Sequence, residues 1–134
     1  MNLFVDTSVW SLAWRRDRPA PSALVKLLED ALAGDDLVVS TGLVLQELLQ
    51  GFAGPKQRAR IIEAFSSIPL VVPDRDDHVA AADLRNQCRR QGVQVGTIDG
   101  LLAHPCIRHH LQMVSTGADF GQIATLTPLR LARP

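Results

Sequence analysis

The 134-residue chain lacks several features that identify common classes of protein. It has only two cysteines, Cys88 and Cys106, and no Cys-x-x-Cys spacing that would indicate a zinc site. Both fall on the apolar faces of predicted helices, so we expect buried thiols rather than metal ligands or a disulfide. The four histidines form no cluster, and the sequence contains neither an internal repeat nor a low-complexity tract.

The chain also lacks an excess of either charge and a long apolar run. Fourteen basic and fourteen acidic residues cancel, so RNA or DNA binding would require a local basic patch. No apolar run approaches the roughly 18 residues that a membrane span needs. The N-terminus enters a predicted strand without a basic n-region or an apolar h-region. We therefore expect a soluble, cytoplasmic protein that does not contact membranes.

The sequence does contain short apolar runs that alternate with amphipathic segments. Residues 3–5, 37–39, 68–73 and 112–115 are predicted strands, with residues 129–131 as a last candidate. The prolines at both ends of 68–73 predict that this strand is short or near an edge of the sheet. The segments between them have helical spacing, including a short piece at 122–124. The predicted capping residues are Thr7 or Ser8, Ser22, Ser40 or Thr41, Asp74 and Thr97. This alternation predicts an α/β fold in one domain, residues 1–134, with a mainly parallel sheet flanked by helices.

The first predicted strand ends at an acid. Asp6 directly follows the apolar run Leu3–Val5, and Thr7 and Ser8 come next. This places a carboxylate at the carboxyl end of a strand, where open parallel sheets bind ligands. Two interpretations stay open at this point: Asp6 caps a helix through backbone amides, or it binds a hard metal ion.

Two further acids do not fit a solvated helix face. Glu47 lies at the margin of an apolar stripe, and Asp99 lies in an otherwise apolar first turn. Each has an ordinary explanation, since Glu47 can lean outward and Asp99 favours the positive end of a helix dipole. Together with Asp6 they would converge at one edge of the sheet. Converging carboxylates repel one another unless a cation neutralises them, and oxygen ligands suit Mg²⁺ or Mn²⁺.

Four segments, taken in order, resemble the PIN-domain family, and specifically the VapC toxins of bacterial VapBC toxin–antitoxin pairs. They are Leu3-Phe4-Val5-Asp6-Thr7-Ser8-Val9-Trp10, Leu45-Gln46-Glu47-Leu48-Leu49-Gln50-Gly51, Thr97-Ile98-Asp99-Gly100-Leu101-Leu102-Ala103, and Ser115-Thr116-Gly117-Ala118-Asp119-Phe120-Gly121-Gln122-Ile123-Ala124. Any one of them is a weak signal, whereas the ordered set spans nearly the whole chain and is more specific.

The resemblance implies a Rossmann-like α/β/α domain, usually dimeric, that acts as a Mg²⁺- or Mn²⁺-dependent endoribonuclease. It implies an RNA substrate and a VapB-like antitoxin as partner. Asp6, Glu47 and Asp99 match the family's metal-binding carboxylates, with Asp6 and Asp99 as the expected direct ligands. The family often has a fourth acid where this chain has Gly117, and Asp119, two residues later, is retained.

The resemblance also assigns supporting roles. Thr7 and Ser8 are expected to contact a carboxylate or a substrate phosphate. Another departure is His104, followed by proline, where small residues are more usual. Arg15, Arg16 and Arg18 are candidate contacts for the RNA backbone, or else part of a solvated loop.

Two other functions compete with the ribonuclease. The first is a catalytically weakened PIN-fold module that binds RNA or protein, which Gly117 favours. The second is a phosphohydrolase of the haloacid-dehalogenase type, which also begins with a strand that ends in aspartate. Those enzymes have Asp-x-Asp at that point, and Ser8 occupies the second position here.

Overall fold

A computed structural model describes residues 1–15 and 22–134 of the chain. Within these residues, four parallel strands in the order β2-β1-β3-β4 are flanked by seven helices. The strands are β1 (Asn2–Val5), β2 (Leu37–Val39), β3 (Gln112–Val114) and β4 (Arg130–Leu131). The helices are α1 (Thr7–Trp14), α2 (Ala23–Ala33), α3 (Gly42–Gly51), α4 (Pro55–Phe65), α5 (Arg75–Arg90), α6 (Thr97–Arg108) and α7 (Ala118–Leu126). The predicted parallel sheet between helices is confirmed.

Strand β1 is central because it pairs in parallel on both sides. Phe4 lies opposite Val39 of β2 on one side and Met113 of β3 on the other. The whole run Leu3–Val5 is inaccessible to solvent, as a continuous apolar run predicts for a strand covered on both faces. Burial of each such side chain contributes about 1.5–3 kcal/mol, and this anchors the strand that ends at Asp6.

Three predicted helix caps are confirmed. The Ser22 side chain caps α2 and the Thr41 side chain caps α3, each accepting an amide N–H from the first turn. Asp74 caps α5 by accepting the N–H of Asp77, and Asp77 accepts the N–H of Asp74 in return. This reciprocal capping box satisfies two amides that the start of a helix otherwise leaves free.

Two other predicted caps are wrong, because the residue just before the predicted position precedes the helix. Asp6, and not Thr7 or Ser8, caps α1, because its carboxylate accepts the N–H of Thr7. Gly96, and not Thr97, precedes α6, and no side chain caps that helix. The capping interpretation of Asp6 is therefore confirmed, and it leaves other acceptor positions of the carboxylate for a ligand.

The strand predicted at residues 68–73 is reduced to a single bridge, at the edge of the sheet beside β2. Leu70 pairs with Ser40, just beyond the end of β2. The Ser40 N–H donates to Pro69 O at 3.0 Å, and Ser40 O accepts the N–H of Val71 at 2.8 Å. Pro69 and Pro73 have no amide hydrogen for a longer ladder.

The C-terminal part follows the predicted order with one longer helix. Helix α7 begins at Ala118, before the short piece predicted at 122–124, and β4 confirms a last strand within residues 129–131. Cys88 and Cys106 are free and buried, as expected. Over residues 1–15 and 22–134, we find no helix whose length and apolar character would let it cross a bilayer.

Candidate active site

Asp6 lies at the carboxyl end of the central strand. Its backbone N–H donates to Val114 O at 2.9 Å, so the pairing with β3 continues as far as the acid. Its carboxylate oxygen Oδ1 accepts the N–H of Thr7 at 2.7 Å. The residue is half-buried at the edge where parallel sheets bind ligands.

Two serine hydroxyls contact the other carboxylate oxygen of Asp6. Ser8, in the first turn of α1, donates to Oδ2 at 3.0 Å. Ser115, which follows β3, donates to the same oxygen at 2.8 Å. Hydrogen bonds to an ionised carboxylate are stronger than those between neutral groups, so the two hydroxyls fix the orientation of this side chain. Ser8 therefore contacts a carboxylate, that of Asp6, which is one of the contacts expected for it from the sequence.

Thr7 connects the start of α1 with α3. Its hydroxyl Oγ1 donates to Glu47 Oε1 at 3.3 Å. Glu47 is exposed on α3, and its side chain extends toward the start of α1. Thr7 therefore contacts a carboxylate, one of the two contacts expected for it from the sequence.

Asp99 occupies the third position of α6 and is half-buried. The pKa of its carboxyl group is raised, first by burial and then by the negative charges of Asp6, Asp119 and Glu47, in that order. These charges come from the end of β1, the first turn of α7 and the middle of α3. Three predicted acids that lie far apart in the sequence therefore act electrostatically on the fourth, Asp99.

A half-buried arginine fixes the segment that leads into α6. Arg85 Nε, on α5, donates to Val95 O at 2.6 Å. A Cβ atom at Gly100 would lie 2.9 Å from Arg85 Cγ, so this glycine gives the arginine stem room to cross α6 beside Asp99. Helical periodicity alone would place Arg85 on the outer face of α5, but the hydrogen bond to Val95 holds it against the start of α6.

Asp119 is exposed in the first turn of α7, and Gly117 is the residue that precedes this helix. The Gly117 N–H donates to Ser115 Oγ at 3.0 Å. A Cβ atom at Gly117 would lie 3.4 Å from that oxygen, which is an ordinary contact. An acid at position 117 therefore fits the backbone found here.

A further acid is buried between the start of α5 and the end of α6. Asp77 Oδ1 accepts from Arg108 Nη1 at 3.1 Å and lies 3.6 Å from His104 Nε2. Asp77 Oδ2 accepts the Asp74 N–H at 2.9 Å. These partners satisfy the carboxylate, and they account for His104 as a structural contact of α5.

The four acids form an open acidic edge rather than a closed metal cage. Among residues 1–15 and 22–134, no group of three His, Cys, Asp or Glu side chains is close enough to hold a metal ion. Burial and the charges of three other acids each raise the pKa of Asp99, as expected where carboxylates converge. The donors are all oxygens, which fits a hard divalent cation and does not fit zinc.

Sequence reasoning missed Ser115. The available signal was a hydroxyl residue at the end of a predicted strand, the same position that made Asp6 a candidate. The suggested RNA contacts Arg16 and Arg18 lie outside the described residues, and Arg15 is exposed after α1.

Comparison with known proteins identifies the family. The family model for the PIN domain matches residues 3–126. VapC ribonuclease Mb1587 of Mycobacterium bovis is 30% identical over 132 residues, which cover 97% of each chain.

Two solved structures are similar in fold. VapBC-1 from nontypeable Haemophilus influenzae has a TM-score of 0.75 at 15% identity and covers 98% of this chain and 97% of its own. VapBC2 from Rickettsia felis, bound to a DNA fragment from its promoter, has a TM-score of 0.74 at 18% identity and covers 98% of both chains. These likenesses concern the fold and leave activity to be argued from the site. The chain belongs to the PIN-domain family, in its VapC branch.

Proposed function

We propose that this protein is a metal-dependent endoribonuclease and the toxin of a VapBC-type toxin–antitoxin pair. One observation carries the proposal: burial and the charges of three other acids act on Asp99 at the carboxyl edge of the sheet. Relatives named as VapC ribonucleases support the choice of RNA as substrate. Membership of the PIN-domain family also sets aside the haloacid-dehalogenase alternative.

The protein side of the mechanism assigns the acids to different tasks. Asp6 and Asp99 would hold Mg²⁺ or Mn²⁺ directly, and Glu47 would be a further ligand or would orient the attacking water. When bound, such a cation polarises a phosphate oxygen, lowers the pKa of a bound water and stabilises the leaving 3′ oxygen. Asp119 is exposed and would complete the site from α7.

The hydroxyl residues orient these acids. Ser8 holds Asp6, and Thr7 holds Glu47, at 3.0 and 3.3 Å. Both lie in the first turn of α1, so a single helix start positions two of the proposed functional carboxylates. Precise positioning of this kind lowers the reorganisation that a reaction requires.

A cleavage assay tests the proposal. Wild-type protein should cut labelled RNA in the presence of Mn²⁺ and stop when EDTA is added. Asp99→Asn should lose at least about 100-fold in rate, because the loss of a ligand exceeds the 10- to 100-fold effect of outer-shell changes. The matched control is Asp83→Asn, an exposed acid on α5, which should cut normally. Equal rates for the two variants would refute the site assignment.

The same assay tests the alternative of a weakened binding module, which Gly117 favours. A protein that binds labelled RNA but leaves it intact with Mn²⁺ would support that alternative against the enzyme.

The proposed partners are a VapB-like antitoxin and a second copy of the chain. Similar structures are named as VapBC complexes, and a ribonuclease toxin needs an inhibitor in its own cell. Expression without the neighbouring short reading frame should arrest growth, and co-expression should restore it. Light scattering after gel filtration should give the mass of a dimer. Growth without arrest, at verified protein levels, would contradict the toxin assignment.

A further inference from the structure

The Ser115 hydroxyl contacts two parts of the candidate site at once. It donates to Asp6 Oδ2 at 2.8 Å and accepts the N–H of Gly117 at 3.0 Å. Gly117 precedes α7, the helix that carries Asp119. One side chain therefore connects the acid at the end of β1 with the start of the helix that carries the fourth acid.

Ser8 makes the same pair of contacts from α1. Its hydroxyl donates to Asp6 Oδ2 at 3.0 Å and accepts the N–H of Thr116 at 3.1 Å. The two hydroxyl oxygens are 3.4 Å apart. A backbone amide can only donate, so each hydroxyl accepts from its amide and has one proton to give to Asp6.

This pattern leaves Asp6 with one preferred point for a cation. Oδ2 receives both serine protons and Oδ1 receives the Thr7 N–H. An ionised carboxylate has roughly four acceptor positions, two on each oxygen. The position still open is therefore on Oδ1, and the serines keep that oxygen turned away from the turn at residues 115–117.

We propose that Ser115 is a positioning residue that orients Asp6 and Asp119 together for the reaction. The proposal deepens the proposed function and rests on it. Ser115 sets the side-chain angle of Asp6 directly. It sets Asp119 indirectly, because the Gly117 amide that it holds directly precedes α7. Ser8 supports the same turn through the neighbouring amide of Thr116.

The first test compares Ser115→Ala with Ser115→Thr. Mn²⁺ affinity is measured by titration calorimetry and cleavage by the RNA assay, with thermal unfolding in EDTA as a check on folding. Ser115→Ala should weaken Mn²⁺ binding by about tenfold, as the loss of an outer-shell partner does. Ser115→Thr keeps the hydroxyl and should bind within about twofold of the wild type. The matched control is Thr125→Ala, which removes a hydroxyl of α7 that bonds to Gln122 O and should change neither quantity.

The second test asks whether Ser115 acts on both acids. Asp119→Asn should slow cleavage about tenfold in the wild type. In the Ser115→Ala background it should slow cleavage less than about threefold, because Asp119 is already misplaced. Equal effects in the two backgrounds would overturn the joint role of Ser115.

Other results have distinct meanings. If wild-type protein neither binds Mn²⁺ nor cuts RNA, the proposed function fails and the positioning role fails with it. If the wild type is active and Ser115→Ala binds Mn²⁺ equally well, only the positioning role is refuted. A Ser115→Thr variant as weak as Ser115→Ala would also refute it, since the hydroxyl would then be irrelevant. If Ser115→Ala does not fold, the threonine variant and Ser8→Ala decide by the same criteria.

Discussion

Asp6 and Asp99 carry the same charge in different surroundings. Asp6 receives three hydrogen bonds, from Thr7, Ser8 and Ser115, and an amide in its place has only one oxygen to accept them. For Asp99, burial and three neighbouring acids raise the pKa. Two acids proposed to bind the same ion should therefore affect the stability of the metal-free protein in opposite directions.

Asp99→Asn should raise the melting temperature of the metal-free protein at neutral pH, whereas Asp6→Asn should lower it. A raised folded-state pKa means that the folded protein keeps the proton longer than the unfolded chain. Stability is therefore lost as the pH rises from the ordinary value of 3.8 through the raised pKa, and the amide removes this loss. The advantage of Asp99→Asn should disappear below about pH 3.8. Thermal unfolding in EDTA at several pH values measures the difference in melting temperature between Asp99→Asn and the wild type.

The outcome with metal supplies the control for that experiment. Added Mn²⁺ should stabilise the wild type and leave Asp99→Asn unchanged, since a ligand stabilises only the state that binds it. A lower melting temperature for Asp99→Asn in EDTA at pH 7 would show that its charge is favourably compensated and that the site is misread.

Gly117 and Asp119 give a second prediction at the residue scale. Asp119 is exposed and two residues beyond the usual acid, so it should reach a cation through water. Asp119→Asn should therefore lose about tenfold in Mn²⁺ affinity, far less than Asp99→Asn. Gly117→Asp should tighten binding, because the site gains a carboxylate and the backbone has room for a Cβ atom. Titration calorimetry measures the Mn²⁺ affinity of each variant. Equal losses of affinity in Asp119→Asn and Asp99→Asn would show that Asp119 is a direct ligand.

At the scale of elements, α6 depends on α5 for its position. Arg85 reaches across Gly100 to the carbonyl of Val95, at the end of α6 where Asp99 lies. At the other end, Arg108 and His104 meet the buried Asp77. Contacts at both ends thus fix how far Asp99 extends toward the acidic edge.

Gly100→Ala should destabilise the protein, although alanine is the better helix former by about 1 kcal/mol. The added Cβ would lie 2.9 Å from Arg85 Cγ, so Arg85 must move and its bond to Val95 weakens. In an Arg85→Ala background the next nearest atom is Ala81 O at 3.4 Å, and the same substitution should become neutral or stabilising. Urea unfolding of the four proteins of this double-mutant cycle gives the coupling. Additive effects would show that Arg85 is not the obstacle.

Elements with a strong local signal could be predicted from the sequence. The run Leu3–Val5 predicted a buried central strand, and Ser22 and Thr41 predicted two helix starts, because these signals act over a few residues. The segment 68–73 was predicted to be a short or edge strand because of its prolines, and these limit it further, to one bridge.

The missed parts of the site depend on contacts between distant residues. Ser115 and Asp6 are 109 positions apart, and only the pairing of β1 with β3 brings them together. The inward position of Arg85 likewise depends on Val95 in a different segment. Periodicity within one helix contains no information about either contact. The acids themselves were recognisable because four family-like segments occur in order.

At the scale of the whole molecule, charge is balanced but unevenly placed. The net charge is zero, and the charges of three acids act on Asp99 at one edge of the sheet. An RNA backbone approaching that edge would be repelled unless cations intervene. The protein should therefore need its metal to bind substrate as well as to cleave it.

RNA binding should depend on divalent cations. In EDTA at about 0.15 M salt, labelled RNA should bind no more tightly than about 100 µM, the weak end of non-specific affinity. Adding Mg²⁺ should produce saturable binding, measured by fluorescence anisotropy with Glu47→Gln, which keeps Asp6 and Asp99. Tight, salt-sensitive binding in EDTA would instead indicate a basic surface that attracts RNA without metal.

The burial of Cys106 makes the floor of the candidate site open to chemical measurement. This thiol is almost inaccessible, and burial and then the charge of Asp6 raise its pKa, so a thiol reagent can react only when the protein opens. Cys88 is also buried, and burial alone raises its pKa. The ratio of the two labelling rates therefore separates local opening beneath Asp6 from unfolding of the whole chain. A bound cation that ties Asp6 to Asp99 would slow the reaction at both thiols by stabilising the folded chain, and a larger slowing at Cys106 than at Cys88 would report the local closure.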